Sequence, residues 1–581
     1  MKRTTTSWGI SALEVVRKRN LAKCCTGVLW HASAGKVSAL GPPARFLATT
    51  IDNPLTESAT GILDRLLHTD SPTGFEPDGA TGMVLSVSAG MARVSLSGAV
   101  SCGGAVRLDG CDRPGIIVGF DKQGALVALL SENRPPLGSI ATHVGSVVLS
   151  TTQVSADLTS TPASEPKLRF YTPAELMVVH QDSSSSSSSA LVESRAVFRL
   201  PPAPSVISRQ LTSERLRSGL MAVEVLCPLA AGHRVGFTGS ARTGKSGAAR
   251  MLMHSQPEGT VCIYATLQNQ QKLQSQLLSH KGAGDAPHII VVNADPMRTS
   301  LTEQYCVPLC AARLARELSK DYERVVLVLD DILHLMDVAE QLAVTPFTLP
   351  HMLAATLEMG ASFRMNGMTR SMTTVAVLDM ETADELPRSL QNLWTHIEPS
   401  LDVHVPFSAK LASQGVLPAI DIDALSLGGF PAPYQLPMLQ LLRADLVAKL
   451  QHSRTLVHQS SLRKQLGLHL EVDEEEEVNS AVVQSALLAH GTSRPLPELA
   501  IIVVAALVFH FPTQRPVPST VANFQDAVVA VVREQHKGLW ESLSVMDSLS
   551  RDHAQMVLLD LGHALLRHRL EFHLARPDFL L

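Results

Sequence analysis

The stretch HRVGFTGSARTGKSGAARMLM, residues 233–253, decides the fold. RVGFTG reads as a short apolar strand ending on glycine, GSARTGKS from Gly239 to Ser246 satisfies the phosphate-loop spacing GxxxxGK[ST], and GAARMLM reads as a helix. A strand running through a glycine-rich turn into a helix presents backbone N–H groups at the positive end of the helix, where phosphate oxygens are stabilised. Gly239 and Gly244 let the backbone approach a ligand, with Arg242 and Thr243 completing the cradle. Lys245 is placed to neutralise β- and γ-phosphates, and Ser246 to offer its hydroxyl to Mg²⁺. The ligand expected from this pattern is a nucleoside di- or triphosphate.

Downstream, the apolar runs VCIYATL, HIIVVNA, RVVLVLD and TTVAVLD are separated by helical segments, the pattern of a mostly parallel sheet covered on both faces. RVVLVLDD delivers Asp330 at the C-terminal edge of a strand, where doubly wound sheets bind ligands, and makes it the candidate to hold Mg²⁺ through water. Two strand-like runs lie between Lys245 and Asp330, which suits a RecA-like ATPase sheet better than a compact GTPase. Asp331 reads as a helix cap. After Phe430 the strand signal fades into helical periodicity (QLPMLQLLRADLVAKLQ, VNSAVVQSALLAH, RDHAQMVLLDLGHALLRHRL). The run Leu499–Phe511 is too short to span a bilayer, contains His510, and reads as a buried helix.

Upstream, residues 81–154 alternate short Val/Ile/Leu runs with Gly, Asn and Pro breaks, the spacing of a small barrel or sandwich. From Ser155 to Pro204 the composition turns to Ser, Thr and Pro, including an unbroken serine run Ser183–Ser189, and reads as an exposed linker or insertion. The first fifty residues carry Lys2, Arg3, Arg17, Lys18, Arg19, Lys23, Lys36 and Arg45 against the single acid Glu14, and read as an organelle transit peptide or a basic arm. The expected organisation is therefore 1–50 leader, 51–80 linker, 81–154 β-barrel, 155–204 linker or insertion, 205–430 nucleotide-binding domain and 431–581 helical domain.

Across 581 residues, 45% hydrophobic and 18% charged, the chain has material for several buried cores, and disorder throughout is excluded. A formal charge of -5 gives no global case for nucleic acid as a partner. Eight cysteines without paired CxxC spacing make neither a disulfide framework nor a structural zinc site. Cys306 and Cys310 share a helix face and read as buried thiols, and His563, His568 and His573 recur at a spacing that no helix places on one face. The acidic run Asp473–Glu477 reads as a solvated loop or helix end.

Taken together these segments resemble the alpha subunit of the mitochondrial F-type ATP synthase. ERLRSGLMAVEVLCPLAAGHRVGFTGSARTGKS resembles that family's approach to GDRQTGKT, with its SG or TG dipeptide and AVD. GMVLSVSAGMARV resembles the first barrel strands, APSVISR resembles APGIIPR, VCIYATL and HIIVVNADP the next two strands, LVLDD the family's YDD, and KLASQGVLPAIDI its ELFYKGIRPAIN. The resemblance covers about Gly82 to Ile422. It implies a β-barrel, a RecA-like nucleotide domain and a helical C-terminal domain, in a ring of alternating alpha and beta subunits around a central stalk. It also implies a place on the matrix side of the mitochondrial inner membrane, peripheral to it through the complex, and binding of ATP or ADP with Mg²⁺, without turnover. Beta subunits and the stalk would be the partners, with conventional alpha subunits as a further one.

The departures are as informative. Where the catalytic beta subunit resembles GER, this chain reads Gln268–Asn269–Gln270, and an amide at Asn269 cannot take a proton from attacking water, so no catalytic residue is assigned. Ser240, Ala241 and Arg242 replace the family's Asp, Arg and Gln, moving one positive charge by a position. On the adenine side, RP becomes Leu417–Pro418 and QGQ becomes His490–Gly491–Thr492. The arginine of SRVG, which reaches into the neighbouring beta site, aligns with Gly428 or Gly429, and the next arginine downstream is Arg443. Two rival readings are an independent hexameric RecA-like motor ATPase, which needs a carboxylate in the pocket, and a degenerate paralogue serving as scaffold.

Overall fold

The computed structural model describes residues 80–575 except 89, 99, 132, 161–166, 181–196, 198–200, 213, 280–286, 343–347, 381–387, 414–416, 423–434, 466–477, 479–493, 510–517 and 546–548. The basic leader, the 51–79 segment, the serine run, the Asp473–Glu477 run, Gly428, Gly429, His490, Gly491 and Thr492 lie outside the described residues, as does the side chain of His573.

Six strands, β1 (Thr81–Ser88), β2 (Met91–Leu96), β3 (Gly104–Leu108), β4 (Gly115–Asp121), β5 (Gly124–Ala128) and β6 (Ile140–Leu149), pair in the order β1-β2-β5-β4-β3-β6. Antiparallel pairing of β6 back onto β1 closes the barrel. The inward residues Val84, Val94, Val106, Leu108, Ile117 and Val127 fill it in a period-two pattern, and the closure of β6 onto β1 settles the barrel-or-sandwich alternative.

The segment expected to be linker from Ser155 to Pro204 is in part folded. A helix spans Thr152–Ser160, β7 (Leu168–Tyr171) pairs in parallel with the large sheet, and β8 (Met177–His180) extends β6 of the barrel. Between β7 and β8, Thr172 and Glu175 form a reciprocal capping box around the single turn Pro173–Leu176. Tyr171 and Leu176 are buried, so this short stretch gains its order by being shared between the two sheets.

The remaining strands are β9 (Arg209–Gln210), β10 (Arg215–Leu216), β11 (Leu229–Ala230), β12 (Arg234–Gly239), β13 (Thr260–Thr266), β14 (His288–Asn293), β15 (Arg324–Leu329), β16 (Ala361–Met365), β17 (Met368–Asp379) and β18 (Val403–Phe407). The large sheet has the order β18-β12-β17-β15-β13-β14-β7, every neighbour parallel, with β16 antiparallel to β17 and β9 antiparallel to β16. Side chains alternate between two cores. Cys262, Tyr264, Val326 and Val328 point into the one that holds helices Lys245–His254 and Gln270–Ser279. Val261, Ile263, Val325 and Leu327 point into the other, with helices Leu301–Leu318, Ile332–Gln341 and Thr348–Leu357. Near-continuous apolar strands are what such two-sided burial demands.

The C-terminal helices Pro437–Gln465, Leu496–Val508, Pro518–Gln535, Lys537–Ser544 and Arg551–Ala575 continue the first core. Leu496–Val508 takes up most of the run Leu499–Phe511 expected as a buried helix, ending before the extended Phe509, and among the described residues no helix is long and apolar enough to cross a membrane. Gln435 donates to the carbonyls of Glu224 and Val225 and Arg443 to that of Leu226, tying this region to the short helix Met221–Leu226. Glu224 in turn accepts from Arg215, from the Ser218 amide and hydroxyl, and from the Gly219 amide. The Ser218–Gly219 dipeptide and the acid of Ala222–Val223–Glu224 are thus one buried hydrogen-bonded unit leading into β12.

Candidate nucleotide-binding site

β12 ends on Gly239, whose φ of 143° places a hypothetical Cβ 2.4 Å from the Phe407 carbonyl oxygen of β18, so no larger residue fits. The loop turns through Arg242 (φ 64°), which is exposed, and reaches Gly244 (φ 91°), where a Cβ would meet the Cα of Pro418 at 2.9 Å. The Ala419 amide donates to the Thr243 carbonyl at 2.9 Å. Leu417–Pro418, expected on the adenine side, therefore lies directly against the loop.

Lys245 opens the helix Lys245–His254 and is 3% exposed. Its Nζ donates to the carbonyls of Gly239 (2.9 Å) and Ser240, to Thr243 Oγ1 (3.2 Å) and to Asp379 Oδ1 (2.7 Å). Four acceptors surround three N–H donors, and Asp379 is the one that carries a charge. Thr243 adds a bond from its hydroxyl to the Ser240 carbonyl (2.9 Å).

Ser246 Oγ donates to Asp330 Oδ1 at 3.2 Å, bringing together the two residues assigned to the metal. Asp330 follows β15 and is pinned by its own N–H to the Ala265 carbonyl (2.9 Å). Its Oδ1 also accepts from the Asp331 amide (2.9 Å), and its Oδ2 accepts from the hydroxyl of the fully buried Tyr264. Burial, then the adjacent Asp331 charge, push the Asp330 carboxyl up to about 6, against the pull of the Tyr264, Asp331 and Ser246 hydrogen bonds. Burial together with Asp330 raises the Tyr264 phenol well above its usual range, so it stays a donor.

Asp331, expected as a helix cap, does not act as one through its side chain. It occupies the position before helix Ile332–Gln341 in a left-handed conformation (φ 55°). It accepts instead from Thr266 Oγ1 (2.7 Å), the Leu267 amide (3.1 Å) and Gln268 Nε2 (3.4 Å), fastening the turn after β13. In that turn the Asn269 amide donates to Asp295 (2.9 Å), while its carbonyl accepts from the Lys272 amide (3.3 Å) at the start of helix Gln270–Ser279. The Asn269 side chain thus directs its hydrogen bonds to Asp295 and Lys272.

Sequence reasoning missed Asp379 and Tyr264. The signal for Asp379 was present: TTVAVLD ends as RVVLVLD does, in an acid after an apolar strand. β17 lies between β12 and β15 and pairs Gly239 with Asp379, so strand order carries that acid to the loop. Elsewhere, Cys306 and Cys310 are fully buried with their thiols raised chiefly by burial, and His568 meets His536 edge-on in an Nε2–Nε2 hydrogen bond of 3.0 Å while His563 is exposed.

A parallel sheet whose strand ends supply a glycine loop, a buried lysine and a hydroxyl–carboxylate pair defines a domain of the nucleoside-phosphate-binding class. Residues 219–426 match the family model of the ATP synthase alpha/beta family, nucleotide-binding domain. This part of the chain is thus similar to the nucleotide-binding domain of that family.

Proposed function

We propose that the chain is an alpha-like, nucleotide-binding and non-catalytic subunit of the mitochondrial F-type ATP synthase ring, with a RecA-like central domain. The observation that carries this reading is the division of labour at the strand ends. Lys245, Ser246 and Asp330 converge, whereas the position expected to hold a general base is an amide, Asn269, engaged with Asp295 and a helix N-terminus. Gly239, Arg242, Thr243 and Gly244 form the phosphate cradle. Ser246 and Asp330 offer hard oxygen donors that fit Mg²⁺ and would hold it, directly or through water. Bound there, the ion would neutralise phosphate charge. Lys245 orients the terminal phosphates, and Tyr264 aims the Asp330 carboxylate.

Beta subunits and the central stalk are the partners of this reading, with conventional alpha subunits beside them, and no nucleic acid. The basic leader directs the chain to the mitochondrion, where it serves proton-driven ATP synthesis on the matrix side of the inner membrane. Identification of proteins copurifying with the endogenous chain, together with mass spectrometry of its N-terminus, tests this. ATP synthase subunits and a shortened chain are expected. A chain beginning at Met1, recovered alone from a cytosolic fraction, overturns it.

A self-contained RecA-like motor is the second reading, favoured by one observation, a carboxylate, Asp379, at the loop. That carboxylate faces the ammonium of Lys245, which opposes its use as a base. A scaffold role without ligand is opposed by the intact loop.

A further inference from the structure

We infer that Asp379 selects the ligand of the phosphate loop: it is a built-in anion that a phosphate must displace from Lys245, so the site takes metal-complexed polyphosphate in preference to the metal-free form. The inference deepens the nucleotide-site reading and rests on it for the identity of the ligand.

The geometry is fixed by the backbone. Gly239 and Asp379 are paired across β12 and β17, and the Met380 amide donates to the Gly239 carbonyl at 2.8 Å, so the end of β17 cannot drift from the loop. Lys245 is buried and held by two loop carbonyls, so the ammonium stays where it is. The Asp379 side chain, 44% exposed, is the partner free to turn outward.

A metal-free polyphosphate entering this seat meets a lysine whose charge is already balanced and a carboxylate that repels it. A divalent cation carried by the ligand would offset that repulsion by lowering the ligand's net charge. Asp330, the other acid at this edge, acts in the same direction when ionised, but it is bonded to Ser246, Tyr264 and the Asp331 amide and does not touch Lys245. Of the two, Asp379 therefore sets the competition for the lysine.

The test is calorimetry on the full chain with three probes: ATP in EDTA, ATP with excess Mg²⁺, and inorganic tripolyphosphate in EDTA. The proteins are wild type, Asp379→Asn, Asp379→Ser and Lys245→Ala, with the serine variant covering the case in which the asparagine variant does not fold. Both Asp379 variants should bind the metal-free probes on the order of tenfold more tightly than wild type, while Mg²⁺-ATP affinity changes by less than about threefold. Lys245→Ala should bind none of them. Unchanged or weakened metal-free binding in the Asp379 variants overturns the inference and leaves the nucleotide reading standing. Tighter tripolyphosphate binding without any ATP binding supports the inference and removes the nucleotide reading. Absence of tripolyphosphate binding in every variant overturns the inference.

Discussion

The ends of β12 and β13 lie on one sheet edge, yet their polar atoms do different things. At the end of β12 a lysine, a hydroxyl and a carboxylate converge, and the contacts among them, such as Ser246 to Asp330 at 3.2 Å, are ones a phosphate or a cation can replace. At the end of β13 the amides of Gln268 and Asn269 are committed to Asp331, Asp295 and the start of the next helix. The contrast teaches that one sheet edge can carry two kinds of polar end: contacts that a ligand can replace beside the loop, and contacts that fasten a turn after β13.

The largest effect expected lies at a neighbouring site. If this chain completes a beta subunit and Gly428 or Gly429 stands in the place of the trans arginine, that site should be slow. Gly428→Arg or Gly429→Arg in a ring reconstituted with beta subunits should then raise steady-state hydrolysis by on the order of a thousandfold. Near-normal hydrolysis by the unmodified ring, with no gain from either variant, would show that another group fills the role. Next, Lys245→Ala should weaken Mg²⁺-ATP binding at least about a hundredfold by calorimetry, because it deletes the buried charge of the β12 end. Retained affinity would move the ligand away from this loop.

A smaller effect comes from pH. The Asp330 carboxyl titrates at about 6 in the fold against an ordinary value of 3.8, so the folded chain takes up this proton before the unfolded one does. This group's contribution to stability is therefore fully present below about pH 4 and is lost as pH rises through 6. Cation binding needs the carboxylate and runs the opposite way: Mg²⁺-dependent affinity should fall about tenfold between pH 7 and pH 5. Tyr264→Phe, by removing a bond that favours the ionised form, should shift that fall to higher pH. A pH-independent Mg²⁺ effect would take the metal role from Asp330.

The smallest effect concerns the turn after β13. Asn269→Asp sets a carboxylate against Asp295 in place of a donated amide, so the thermal midpoint should drop with a loss of about 1 kcal/mol and no hydrolysis should appear. Turnover in that variant would mean that the turn lacked only an acid.

Much of this contrast was legible in the sequence. The loop announces itself by local spacing, and RVVLVLD and TTVAVLD carry their strands in composition alone. What local pattern could not supply was adjacency. Asp379 reaches Lys245 because β17 is inserted between β12 and β15, and Tyr264 reaches Asp330 across paired strands, relations set by strand order rather than spacing. Asp331 was misread because a position before a helix favours capping, while here the left-handed backbone turns the side chain toward β13. β7 and β8 were read as linker because each is four residues long in a Ser/Thr/Pro-rich context and takes its order from the sheet it joins.

The central claim is that this chain holds a nucleotide and does not consume it. The direct measurement is to incubate the purified chain with Mg²⁺-ATP, remove free ligand by gel filtration, and determine the nucleotide retained and the phosphate released over time. Intact ATP should coelute with the wild-type chain, be absent from Lys245→Ala, and persist without phosphate release. Phosphate release at about 1 per second or faster, or no retained nucleotide, would contradict the account.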